Sequence, residues 1–203
     1  MSKLDEFLPV YQFNEIYAVS IRSSRSEAYD ALKSVRLADL SVLAPWLLAL
    51  RSLPARLVGN HRAELRELSS TLPLLEAMSR NGFVRLADLP DREIVIGIIG
   101  QPWKITSIEE PILRDAEAFL SFDQPDYALI ATDFRIVVDE EPGRVGCTTE
   151  TRVHIPDAKA RGQFSRYWRF AGIGSGLLRR MWLNAIRTRA EASSRNRKWN
   201  VNA

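Results

Sequence analysis

DAKARGQFSRYWRFAGIGSGLLRRMWLNAIRTRAEA, residues 157–192, decides the fold. Phe164, Trp168, Ala171, Leu178, Trp182 and Ala185 recur at spacings of three, four and seven, with Tyr167, Met181 and Ile186 beside them. Those intervals place them on one stripe of a helix. Arg161, Arg166, Arg169, Arg179, Arg180, Arg187 and Arg189 are expected on the other side. Two tryptophans, a phenylalanine and a tyrosine on one stripe need a broad apolar partner, and a β-sheet is the expected one.

The strands for that sheet lie upstream. Tyr11, Phe13, Tyr17, Val19 and Ile21 alternate along residues 11–22, as in a half-buried strand. Ser24 or Ser26 then caps a helix whose inner face is Ala28, Tyr29, Leu32 and Val35. Leu40, Leu43, Leu47 and Leu50 predict a second helix over about 39–53, and Pro73 opens a short one ended by Asn81-Gly82. From Phe83 the hydrophobic period drops to two. Residues 83–89 and 92–104 predict a hairpin around Pro90-Asp91, with Gly97 and Gly100 marking a bulge or bend. Residues 127–140 and 144–155 predict a second hairpin around Glu141-Pro142-Gly143. Pro156 ends the last strand and Asp157 is the natural N-cap of the long helix. Strands gathered after helices predict an α+β fold. The domain is expected over 1–192, with 54–82 as an insertion and 193–203 as a disordered basic tail.

The 203 residues fit one domain. A single cysteine, Cys147, excludes an internal disulfide and suits a reducing compartment, so the expected location is cytoplasmic. No apolar run reaches the ~18 residues of a membrane span. Charge is uneven: residues 1–156 carry 17 basic and 23 acidic side chains, residues 157–203 carry 11 and 2. That basic end is either a solvated helix face or a contact for nucleic acid or anionic lipid. Trp199 and Arg195-Asn-Arg-Lys198 are the residues offered for the contact.

Four stretches carry a resemblance. They are residues 21–32 (IRSSRSEAYDAL), 92–103 (REIVIGIIGQPW), 149–153 (TETRV) and 163–168 (QFSRYW). Together they resemble the helix-grip superfamily of lipid-transfer (START-like), pollen-allergen-like and polyketide-cyclase-like proteins, also called SRPBCC, in a bacterial subgroup. The resemblance implies a curved antiparallel sheet wrapped around the C-terminal helix, with a cavity between them that holds an apolar or amphipathic molecule. Some members are cyclases or hydratases. The superfamily shares no catalytic triad and no cofactor, so function does not follow from the fold.

The expected function is therefore binding or transport of a small lipid-, sterol- or polyketide-like ligand, without a cofactor. A cyclase- or hydratase-like enzyme is the alternative, and a basic module for nucleic acid or anionic lipid the third reading. Strand alternation puts Thr132, Phe134, Thr149 and Thr151 on the sheet face toward the helix. With Trp103, Phe164, Tyr167, Trp168, Leu178 and Trp182 they form the expected ligand wall.

The same alternation turns Asp133, Arg135, Glu150 and Arg152 to the opposite face. A register with Phe134 across from Thr149 makes them an exposed ion lattice; a one-residue slip would turn all four inward as acid/base groups. Gly172-Ile-Gly-Ser-Gly176 lacks the pattern of a phosphate-binding loop and is expected to kink the helix. His61 and His154 are the only histidines and no metal-ligand spacing is present. Cys147 is expected to be a small core residue.

Overall fold

The computed structural model describes residues 2–40, 71–104, 111 and 113–201, with the backbone alone described at 170, 198, 200 and 201. Chain order is α1 (Leu4–Phe7), β1 (Phe13–Ile21), α2 (Arg25–Ser34), α3 (Leu74–Arg80), β2 (Val84–Leu89), β3 (Glu93–Gly100), α4 (Ala116–Leu120), β4 (Ala128–Val138), β5 (Val145–His154) and α5 (Ala158–Val201). The strands form one curved antiparallel sheet in the order β1-β5-β4-β3-β2. The fold is α+β, with a long C-terminal helix.

Local chemistry sets the boundaries. Ser24 and Glu27 form a reciprocal capping box at the start of α2, satisfying two donors that the first turn leaves open. The Asp157 carboxylate accepts the Ala160 N–H at 2.6 Å and caps α5. Gly82 and Gly143 end α3 and turn the β4–β5 hairpin at φ of +91° and +77°, angles that a side chain disfavours. A bulge lies between Arg85 and Ala87 in β2, across from Ile96 and Val95. A Cβ on Gly97 would press on Leu86 and Phe119, so the glycine lets α4 close over the bulged edge.

One sheet face packs on α2, α3 and the C-terminal half of α5. Ile94, Ile96, Phe134, Ile136 and Cys147 meet Tyr29, Leu32, Leu75, Trp182 and Ile186 there. Burial pushes the Cys147 thiol up to about 12, in keeping with a core residue. The opposite face is covered too. Leu4 and Leu8 near α1, with Phe119 of α4, pack on Val95, Ile99, Leu129 and Ala131.

One expectation is corrected here. Residues 193–201 are not a disordered tail: α5 continues to Val201, and Arg197 Nε lies 3.3 Å from Glu27 Oε1 of α2. α5 is helical throughout its 44 residues, Gly172, Gly174 and Gly176 included. The predicted helix over 39–53 and residues 54–70 of the expected insertion lie outside the described residues, except that 37–39 form a 3-10 turn.

Candidate functional site

β1 presents Phe13, Glu15, Tyr17, Val19 and Ile21 toward α5, and its register with β5 sets Phe13 beside Val153, Glu15 beside Thr151 and Tyr17 beside Thr149. β4 adds Ile130 beside Val153 and Thr132 beside Thr151. Successive rungs of the inner face are thus apolar (Phe13, Val153, Ile130), polar (Glu15, Thr151, Thr132), then mixed (Tyr17, Thr149, Phe134).

Aromatic groups close both ends of that polar belt. Phe164 is the hub at one end. Its ring centroid lies 4.8 Å from Phe13, 5.8 Å from Trp103, 5.8 Å from Tyr167 and 5.3 Å from the stacked Trp168. At the other end Phe134 and Trp182 meet at 4.5 Å. Phe164 and Phe134 are fully buried, whereas Tyr167, Trp168, Leu178 and Trp103 are half-buried.

Arg179 fills the belt. It was expected on the outer side of the helix; instead its guanidinium turns onto the sheet. Nη2 donates to Thr132 Oγ1 at 3.0 Å and Nη1 to Thr149 Oγ1 at 3.3 Å. The guanidinium carbon lies 6.0 Å from the Phe134 ring centroid. Thr132 and Thr151 share a hydrogen bond of 3.1 Å, and Thr149 donates to the Asp133 carbonyl at 2.7 Å. Glu15 stands next to this group, its carboxyl held above the ordinary value by burial, while Arg179 and a hydrogen bond with Tyr17 pull it down. Burial, then the Glu15 charge, also raise the Tyr17 hydroxyl. Three polar atoms along the seam have no hydrogen-bond partner: Glu15 Oε2, Trp103 Nε1 and Trp182 Nε1.

The glycines of α5 belong to this site. A Cβ on Gly172 would lie 3.2 Å from Glu15 Oε1, and one on Gly176 would collide with the Tyr17 hydroxyl. Small residues there let two polar side chains of β1 reach the helix. The predicted wall of Thr132, Phe134, Thr149, Thr151, Phe164, Trp168 and Trp182 is thus brought to one seam, with Trp103 and Tyr167 at the Phe164 end. Sequence reading missed Glu15 and Arg179. The signal was present: Glu15 shares the odd-numbered set of Phe13 and Tyr17, and Arg179 lies three residues before Trp182, on its stripe.

The charged quartet occupies the other face. Thr132 pairs with Thr151 and Ile136 with Cys147, the register that sets Phe134 across from Thr149. An exposed lattice was expected; the structure buries it. Asp133 is 0% exposed and Glu150 5%, because Ser2 and α1 lie over them. Glu93 joins the cluster, accepting from the Lys3 N–H at 3.0 Å and from the Ser2 hydroxyl. Arg152 Nε bonds Glu150 at 2.8 Å and Nη2 pairs with Asp5 at 2.8 Å. Arg135 Nε lies 2.8 Å from Asp133 Oδ2, near enough for an ion pair but not aligned as a hydrogen bond. The missing sequence signal is α1, four residues too short to show a period.

His154 bonds Gln12 at 3.2 Å, and its ring is held below the ordinary value by burial, then by Arg161. His61 lies outside the described residues. Among the described residues no group of histidine, cysteine and carboxylate side chains could hold a metal ion, and no helix is long and apolar enough to cross a membrane. No family model, curated protein or solved structure matches the chain.

Proposed function

We propose that the chain is a helix-grip protein that binds a small amphipathic molecule between α5 and the sheet, as a carrier or sensor. The apolar body of the ligand lies against Phe164, Trp168, Tyr167 and Trp103, and its polar head meets Arg179 and the threonine belt. One observation carries this reading. A guanidinium is drawn inward onto threonine hydroxyls, between two aromatic clusters, beside a carboxylate oxygen that lacks a partner. A seam meant only to pack would be apolar there, because an unpaired buried polar atom costs ~1–3 kcal/mol. A ligand head recovers those hydrogen bonds.

Two open grooves flank the C-terminal half of α5, and neither is lined by this wall. Binding therefore requires α5 to give way at Trp168 and Leu178, both half-buried. The Gly172–Gly176 stretch is the natural place, since glycine weakens a helix most.

An enzymatic reading gains one specific support. Glu15, Tyr17 and Arg179 are inward-facing polar groups on the sheet and helix, and a carboxyl raised by burial suits a general acid. It predicts turnover of the bound molecule, lost in Glu15→Gln.

Native mass spectrometry of protein purified from its own host tests the proposal. A small molecule should accompany the wild type and be absent from Arg179→Met. That variant should melt within a few degrees of wild type, because Thr132 keeps Thr151 and Thr149 keeps the Asp133 carbonyl. A wild-type protein that carries nothing and fails to bind a hydrophobic dye would remove the proposal.

A further inference from the structure

The far half of α5 borders an open groove of about 450 Å³. β1 and its continuation supply Ser20 and Arg22, the β4–β5 hairpin supplies Arg144, and α5 supplies Arg187, Thr188, Glu191 and Arg195. Four guanidiniums thus face one carboxylate. Glu191 already accepts the backbone N–H of Arg22 at 3.1 Å. Arg144 is paired with Glu141 at 2.9 Å and donates to Ser20, which itself donates to Asp139. Arg22, Arg187 and Arg195 have no ion pair among the described residues.

Helical spacing extends the site. Residues 187, 191 and 195 follow one flank of the helix, each turned ~40° from the last, and Trp199, 79% exposed, continues that sequence one turn past Arg195. Four residues of helix separate Arg195 from Trp199 by ~6 Å along the axis. This end of the helix is tied to α2 through Arg197 and Glu27.

We propose that this groove binds the phosphate of a nucleotide unit, free or within a single strand, whose base stacks on Trp199. Guanidinium forks match phosphate oxygens two at a time, and the Thr188 hydroxyl adds a donor, while that of Ser20 is committed to Asp139. Unpaired arginines repel one another across the groove until an anion enters. The volume suits one small ligand. An exposed indole one turn beyond the arginines gives the π-face that every base can use. The site shares no residue with the seam and stands or falls apart from it.

The test is fluorescence anisotropy of a short labelled oligouridylate, titrated with the full chain at low and at physiological salt. The wild type should bind, and more weakly at the higher salt. Arg187→Glu with Arg195→Glu should weaken binding at least ~10-fold and flatten the salt dependence. Trp199→Ala should weaken it ~5–50-fold and leave the salt dependence intact. All three side chains are exposed, so the variants should melt as wild type does; Arg195→Gln is the milder substitute if they do not. Displacement of the strand by adenosine monophosphate would identify the free nucleotide as sufficient, and its failure to displace would identify the strand as the source. Two results would overturn the proposal: no binding of strand or mononucleotide at low salt, or Trp199→Ala binding as wild type while inorganic tripolyphosphate displaces the strand.

Discussion

Asp133 is the group in this chain most affected by its surroundings on the covered outer face. Burial raises its carboxyl from 3.8 to about 6, against the pull of Arg135 and of the Glu150 N–H, while Glu93 and Glu150 push it further up. Arg152, Asp5 and Ser2 complete the set of polar groups around it. Folding therefore favours the protonated acid. Its contribution to stability is complete below the unfolded value of 3.8 and is lost as pH rises through about 6. Thermal melts at about pH 5 and about pH 7 should show the wild type losing stability at the higher pH, and Asp133→Asn losing less. Equal losses in both proteins would mean that Asp133 is ionised at no cost. The same residue marks the limit of sequence reading at this scale. Alternation assigned its face correctly, but whether that face meets water depends on Ser2 and Leu4, distant in sequence and without a pattern of their own.

At the scale of elements, the glycines of α5 separate two physical roles. Nothing lies within reach of a Cβ on Gly174, so Gly174→Ala should stabilise the helix by ~1 kcal/mol. Gly176→Ala gains the same helix propensity but drives a methyl into Tyr17, so it should fall below Gly174→Ala by ~1–3 kcal/mol. Urea unfolding of the pair measures the difference, and equal midpoints would mean that Tyr17 moves aside freely. From sequence the three glycines looked alike, as the site of one kink. Only the approach of Glu15 and Tyr17 distinguishes them, and a one-chain reading cannot see which strand a helix will face. The hairpin register was legible for the opposite reason: both strands alternate cleanly, so one slip would have turned four charges toward α5 and Phe134 away from it. The extent of α5 was not legible past Ala192. Residues 193–201 lack an apolar stripe, and their helix follows from continuity and from the Arg197–Glu27 contact.

For the whole molecule the unexpected feature is a sheet covered on both sides. The period-2 strands predicted one buried face, yet β3 is buried at seven of its eight positions. Its sequence, EIVIGIIG, is a nearly continuous apolar run, the pattern of a strand with two dry faces. The exposed outer face was expected from the alternation and charges of β4 and β5, which carry no such run. Leu4 tests the covering. It is fully buried on the outer face, so Leu4→Ala should cost ~2–5 kcal/mol, whereas the exposed Val10→Ala should cost almost nothing. Equal melting temperatures would show α1 to be dispensable.

The strand order has a consequence of its own. Among the described residues β1 and β2 each have a neighbour on one side only. β2 is short and bulged, which spoils it as a template for a further strand. β1 pairs with β5 without a break over nine residues and carries the exposed Ile16. Its outer row of amides and carbonyls carries no bulge on the paired side that would spoil it as a template. Edge-to-edge aggregation, when this protein is concentrated or partly unfolded, should therefore begin at residues 13–21 and not at the hairpin across the sheet.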